Sequence, residues 1–152
     1  MTQPYEELFQ VTAMTLSTID PAGKPCAAPV YFAALAPATD ERVPCWRLYF
    51  FSMAESQHAQ NIAREAQAAA AIYPECQGWQ DIRGLQLRGL VQSVAQGREW
   101  ELAWRAYCTK FPFVGELEPI VARNELYAFT PEWIRLVDNR HGFGFKQEWT
   151  FA

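Results

Sequence analysis

The stretch FFSMAESQHAQN, residues 50–61, places Ser52, Ser56, Gln57 and His58 within seven positions. Two hydroxyls, a carboxamide and an imidazole at that spacing are donors suited to an anionic oxygen. If a helix opens just past residue 52, its first N–H groups lack intrahelical partners and carry the positive end of the helix dipole. Such a terminus is a natural seat for a phosphate, and these four side chains would ring it. A plainer reading uses the same residues. Ser52 followed by Glu55 forms a capping box, and His58 sits at the edge of an apolar helix face made by Ala59, Ile62, Ala63 and Ala66. The residues alone leave both readings open, and periodicity favours the plainer one.

No other catalytic pattern competes. The chain has no Ser-His-Asp spacing, no Walker loop and no HExxH, and DIRGLQLRG lacks the strand–GxGxxG–helix context of a dinucleotide site. Asp138 and His141 lie close together in DNRHGFG, but two histidines in the whole chain make a metal centre a weak expectation. Trp100, Ala103, Trp104, Tyr107 and Phe111 recur at helical spacing, which reads as core rather than as a cofactor box.

With 152 residues, 50% hydrophobic and 14% aromatic, the chain is expected to form one domain that buries roughly two-thirds of its unfolded surface. A net charge of −4 supplies no basic face, so a nucleic-acid partner is not expected. Cys26, Cys45, Cys76 and Cys108 lie 19, 31 and 32 residues apart, which fits neither a zinc knuckle nor a redox pair. Reduced thiols, the acidic start MTQPYEELFQ and the lack of an apolar run near about 18 residues point to a cytoplasmic protein with no membrane association.

The elements that must position the chemistry follow in order. A short helix is expected over 4–12 and a strand over 14–19. DPAGKP makes a turn, and a return strand follows over 26–35, held by Pro29 to an edge or a bulge. A polar loop, APATDERVP, leads to a third strand, WRLYFFS (46–52). Propensity alone makes 54–73 one helix. A strand with alternating faces covers 82–95, with Arg83 and Arg88 on opposite sides, and an amphipathic helix covers 97–111. A short helix over 118–124, strands at 125–130 and 133–139 around a tight turn at Pro131–Trp133, and a glycine-hinged final strand complete the chain. The fold class is mainly β: an antiparallel split barrel of six to eight strands with two or three flanking helices.

LYFFSMAESQHAQNI and the order of elements around it resemble the FMN-binding split barrels related to pyridoxamine 5′-phosphate oxidase. Further stretches, IRGLQLRG, AYCTKFP and DNRHGFGFKQEW, resemble a small bacterial branch of that superfamily, and the resemblance covers most of the chain. It implies that Phe51 and Ser52 stand where the family has Tyr-Thr, and that Ser56, Gln57, His58 and Ala59 stand where it has Ser-Arg-Lys-Ala on the FMN phosphate. It also implies that the helix ends near residues 64–66 and that 67–73 is a strand. The cofactor expected is FMN, the assembly a homodimer with the flavin at its interface, and the activity that of an oxidoreductase on a small molecule.

Two departures weaken the charge at that seat. FMN's phosphate carries about −1.5 to −2 near neutrality. The family's Arg and Lys are here Gln57 and His58, and the second strand, AAPVYFAA, has no basic residue. Arg83, Arg88 and Lys146 are candidates to compensate, as are Arg47 and Lys24, for which a solvated surface charge is the favoured reading. Pyridoxamine phosphate oxidation itself is not expected, since the residues that recognise that substrate are unmatched. Two other readings are a haem protein with His58 or His141 as axial ligand and a binding or regulatory module without a cofactor.

Overall fold

The computed structural model describes residues 2–37 and 45–151; most of the polar loop expected at 36–44 lies outside them. Eight antiparallel strands form one curled sheet: β1 (Ala13–Ile19), β2 (Pro25–Tyr31), β3 (Ala33–Leu35), β4 (Arg47–Ser52), β5 (Gln67–Ile72), β6 (Arg83–Ser93), β7 (Glu125–Asp138) and β8 (Lys146–Thr150). Their order is β2-β1-β5-β6-β7-β4-β3, with β8 also on β7. Three helices flank it: α1 (Gln57–Arg64), α2 (Arg98–Lys110) and α3 (Glu118–Val121). None is long and apolar enough to cross a membrane.

Local chemistry explains much of this. The β1–β2 hairpin closes as expected, with Asp20 Oδ1 accepting from the amides of Ala22 and Lys24 and Gly23 at a φ of 80°. Pro29 lies on β2, the strand at one end of the sheet path, opposite Thr15. The expected return strand over 26–35 is two strands. It breaks at buried Phe32, so β2 pairs with β1 while β3 pairs with β4 at the far end of the path. The expected helix over 4–12 is a 3₁₀ turn, Glu6–Gln10, that buries Leu8 and Phe9. The helix expected over 118–124 ends at Val121, preceded by a 3₁₀ turn over Pro112–Leu117.

The two strands expected at 125–130 and 133–139 are one strand of 14 residues. Pro131, Glu132 and Trp133 do not turn; they bulge. Gly89 faces Pro131 and Arg88 faces Trp133, leaving Glu132 as the extra residue, with its carbonyl accepting from the Phe151 amide. Gly89 is required here, because a Cβ would stand 2.1 Å from the Thr130 carbonyl oxygen. The bulge also divides β7. Its first half pairs with β4 and its second half with β8, which splits the barrel wall.

The main core fills the concave side, with Met14, Leu16, Phe32, Leu48, Phe50, Ile72 and Phe129 all at most 1% exposed. The other face of β4 turns to α2: Tyr49 packs with Ala103 and Leu126, and Phe51 with Trp100, Trp104 and Tyr107. The aromatic stripe of α2 is therefore core, as its spacing indicates.

Candidate functional site: the β4–α1 junction

β4 ends on Ser52, and a turn over residues 53–55 carries the chain into α1. Ser56, not Ser52, caps the helix: its Oγ accepts from the Ala59 amide at 3.3 Å. The capping box expected from Ser52 and Glu55 does not form, because three residues of turn separate Ser52 from Ser56, the residue that caps the helix. Ser52 is left to another partner. Its Oγ lies 2.6 Å from His58 Nε2, and Ser56 Oγ lies 3.4 Å from the same nitrogen. Two hydroxyls and an imidazole thus converge beside a helix start whose first amides have no intrahelical acceptor.

The helix is anchored from below. Gln57 Nε2 donates to Asn61 Oδ1 at 2.8 Å, and buried Asn61 donates through Nδ2 to Thr18 Oγ1 on β1 at 3.0 Å. Ala59 and Ile62 reach the main core. At the other end, Arg64 donates to the Ile19 carbonyl.

The imidazole at this junction is uncharged. Burial pushes the His58 imidazole below the usual histidine range, so it rests uncharged near neutrality. Its ring lies 6.4 Å from the ring of Phe50. Acidic groups are close: Glu125 pairs across from Ser52 and accepts from the Tyr127 hydroxyl at 3.2 Å. Burial and the neighbouring Glu125 and Glu55 charges push that phenol up to about 12.

The remaining candidates do not join this group. Phe51 points to the opposite face of β4, under α2. Arg83 ion-pairs with Glu7, which also accepts from Arg140 at 3.0 Å. Arg88 stands over the Trp133 ring. Lys146 is exposed at the start of β8, opposite Val137. His141 is on the far segment, its side chain 62% exposed and Nε2 3.7 Å from Asp138 Oδ2.

Sequence reading missed two charged clusters, because each depends on partners far along the chain. Arg47 and Tyr49 meet Glu99 at the start of α2, with the phenol donating at 2.8 Å. Lys110, at the end of α2, donates to the carbonyls of Phe9, Val11 and Phe32 at 3.0, 2.6 and 2.7 Å.

Residues 1–138 match the family model for pyridoxamine 5′-phosphate oxidase. The chain belongs to that family. Its similarity to the UPF0306 protein YhbP of Escherichia coli O157:H7 is 30% identity over 101 residues, which is 66% of this chain and 65% of the length of that relative. Solved structures agree on the fold. A heme binding protein from Mycobacterium smegmatis superposes with a TM-score of 0.73 at 18% identity, covering 99% of this chain and 59% of its own. An FAD-binding protein from Mesorhizobium loti superposes with a TM-score of 0.65 at 13% identity, covering 86% and 87%. The split barrel of the pyridoxamine 5′-phosphate oxidase family is thus the architecture here.

Proposed function

We propose that this protein is an FMN-binding homodimer that acts as an oxidoreductase on a small molecule, with the β4–α1 junction as the seat of the FMN phosphate. The observation that carries the reading is the convergence of Ser52 Oγ, Ser56 Oγ and His58 Nε2 at the start of α1, on positions that the resemblance would align with the family's phosphate grip. Ser52 and Ser56 would donate hydroxyl protons to phosphate oxygens, and the first amides of α1 would add backbone donors. Gln57, exposed and bonded to Asn61, would hold the helix rather than the ligand.

The residues fit a phosphate by hydrogen bonding and fall short of it in charge. His58 supplies the adjustable part. A dianion beside the imidazole raises its pKa, so binding draws in a proton and turns a neutral acceptor into a charged donor. The flavin, when bound, supplies the redox chemistry; the chain holds and orients it. Exposed Met53, 58% accessible beside Ser52, would offer a second copy of the chain an apolar contact at the same place.

The test is the absorption spectrum of the purified protein followed by titration with FMN. A flavin spectrum, or saturable binding to the apoprotein, is expected. Gln57→Arg should tighten binding by about 1 kcal/mol, roughly fivefold in Kd, by adding the charge the seat lacks. A protein that ignores FMN overturns the reading. A Soret band instead supports the haem alternative. That alternative is favoured by the fold of the mycobacterial heme binding protein and by exposed His141, whose ring stands 5.2 Å from Phe145.

A further inference from the structure

A second group of side chains stands near the middle of β6, at the bulge. The close approach of Gly89 to the Thr130 carbonyl fixes the register there, and it sets Arg88 and Trp133 directly across from each other on the outer face. The Arg88 guanidinium carbon stands 4.2 Å from the Trp133 ring centroid, and that of Arg135 stands 4.9 Å away. The two arginines differ in one respect. Arg135 is matched by Glu148, at 2.7 and 2.6 Å from Nε and a terminal nitrogen. Arg88 is exposed, and no carboxylate among the described residues pairs with it.

Arg88 borders a cleft of about 990 Å³. Such a volume accommodates a small organic ligand. The cleft's lining combines the apolar Ala68, Ala69 and Pro131 with the hydroxyls of Ser17 and Thr130. It shares no residue with the group formed by Ser52, Ser56 and His58. A bulge that re-aims a charged side chain into an open cleft is a recurrent device next to binding sites. The planar guanidinium fork is suited to bidentate carboxylate recognition, and its stacking on Trp133 holds that plane in place.

We propose that this cleft binds a small organic carboxylate with a planar, apolar body. The carboxylate pairs with Arg88, the body lies against Ala69 and Pro131, and the Ser17 and Thr130 hydroxyls supply the remaining polar contacts. Glu132, which also lines the cleft, sets a limit on affinity by repulsion.

Benzoate serves as the probe, followed through the Trp133 indole N–H and the Gly89 amide in ¹⁵N–¹H spectra of the whole protein. Saturable shifts at both resonances are expected, with benzyl alcohol, the neutral analogue, binding at least tenfold more weakly. Arg88→Gln should weaken benzoate about tenfold, and Glu132→Gln should tighten it about threefold. Equal binding of benzoate and benzyl alcohol would overturn the proposal, as would an unchanged affinity in Arg88→Gln with its spectrum otherwise native. Saturating FMN is added last. Retention of benzoate keeps the cleft distinct from the flavin seat, whereas competitive displacement by FMN would overturn that distinction. A protein that binds benzoate here and ignores FMN leaves this site standing and removes the other.

Discussion

The two longer helices lie against the same sheet and are held to it by opposite means. α2 is clamped by charge at both ends. Glu99 in its first turn meets Arg47 and Tyr49, and Lys110 in its last turn donates to three carbonyls and stands 3.8 Å over the Phe32 ring. Both charges also complement the helix dipole. α1 has no acid in its first turn; its N-terminus is furnished with two hydroxyls and an uncharged imidazole. A helix whose positive end is matched by its own carboxylate is finished as a structural element. One whose positive end is met only by uncharged side chains has room for an anion from outside. The expectation is a division of labour, with the α2 charges acting on stability and the α1 side chains acting on ligand affinity.

The sharpest break of that division is at Lys110. Burial pushes its ammonium down to about 8, and the three carbonyls offset the cost of burying it. Lys110→Met leaves those carbonyls without their donor, and a loss of about 2 kcal/mol in chemical denaturation is expected, with FMN affinity unchanged. An FMN defect equal to the stability defect would erase the contrast. Glu99→Gln is expected to cost less, about 1 kcal/mol, since Glu99 and Arg47 are each only partly buried. Arg47 Nε is already buried without a hydrogen-bond partner among the described residues, so the cluster has little slack.

A smaller effect separates the two helices by pH. Because burial lowers the His58 pKa, the unfolded chain takes up this proton first as pH falls through about 6.5. Apoprotein stability should therefore decline below that pH, and His58→Asn should flatten the decline. FMN affinity should move the other way, rising as pH falls from 8 toward 6.5, because a bound phosphate raises the same pKa. Thermal melts and titrations across that range, with and without His58→Asn, check both signs.

How much of this is legible in the sequence depends on the range of the interactions. The DPAGKP turn and the apolar stripe of α2 are written in residues a few positions apart, and each is found where local chemistry puts it. The end of α1 is not local. Propensity carries the helix through the alanines of 67–71, and what makes QAAAAI a strand is its pairing with β1 and β6, which the family resemblance anticipates. The PEW segment misleads because proline and a following charge imitate a turn, whereas the sheet absorbs them in a bulge opposite Gly89. Ser52 misleads for a similar reason: two serines each lie three residues before a suitable partner, and only the turn length decides that Ser56 caps. The clusters around Glu99 and Lys110 join residues 50 to 101 positions apart, and no local pattern announces them.

FMN and riboflavin differ by the phosphate alone, so their relative affinity reads the β4–α1 junction directly. Isothermal titration of the wild-type protein should show FMN binding at least about tenfold more tightly than riboflavin, and the double variant Ser52→Ala with His58→Ala should bring the two ligands level while leaving the melting temperature nearly unchanged. Equal affinities in the wild type, or a preference for FMN that survives the double substitution, would place the phosphate somewhere other than the start of α1.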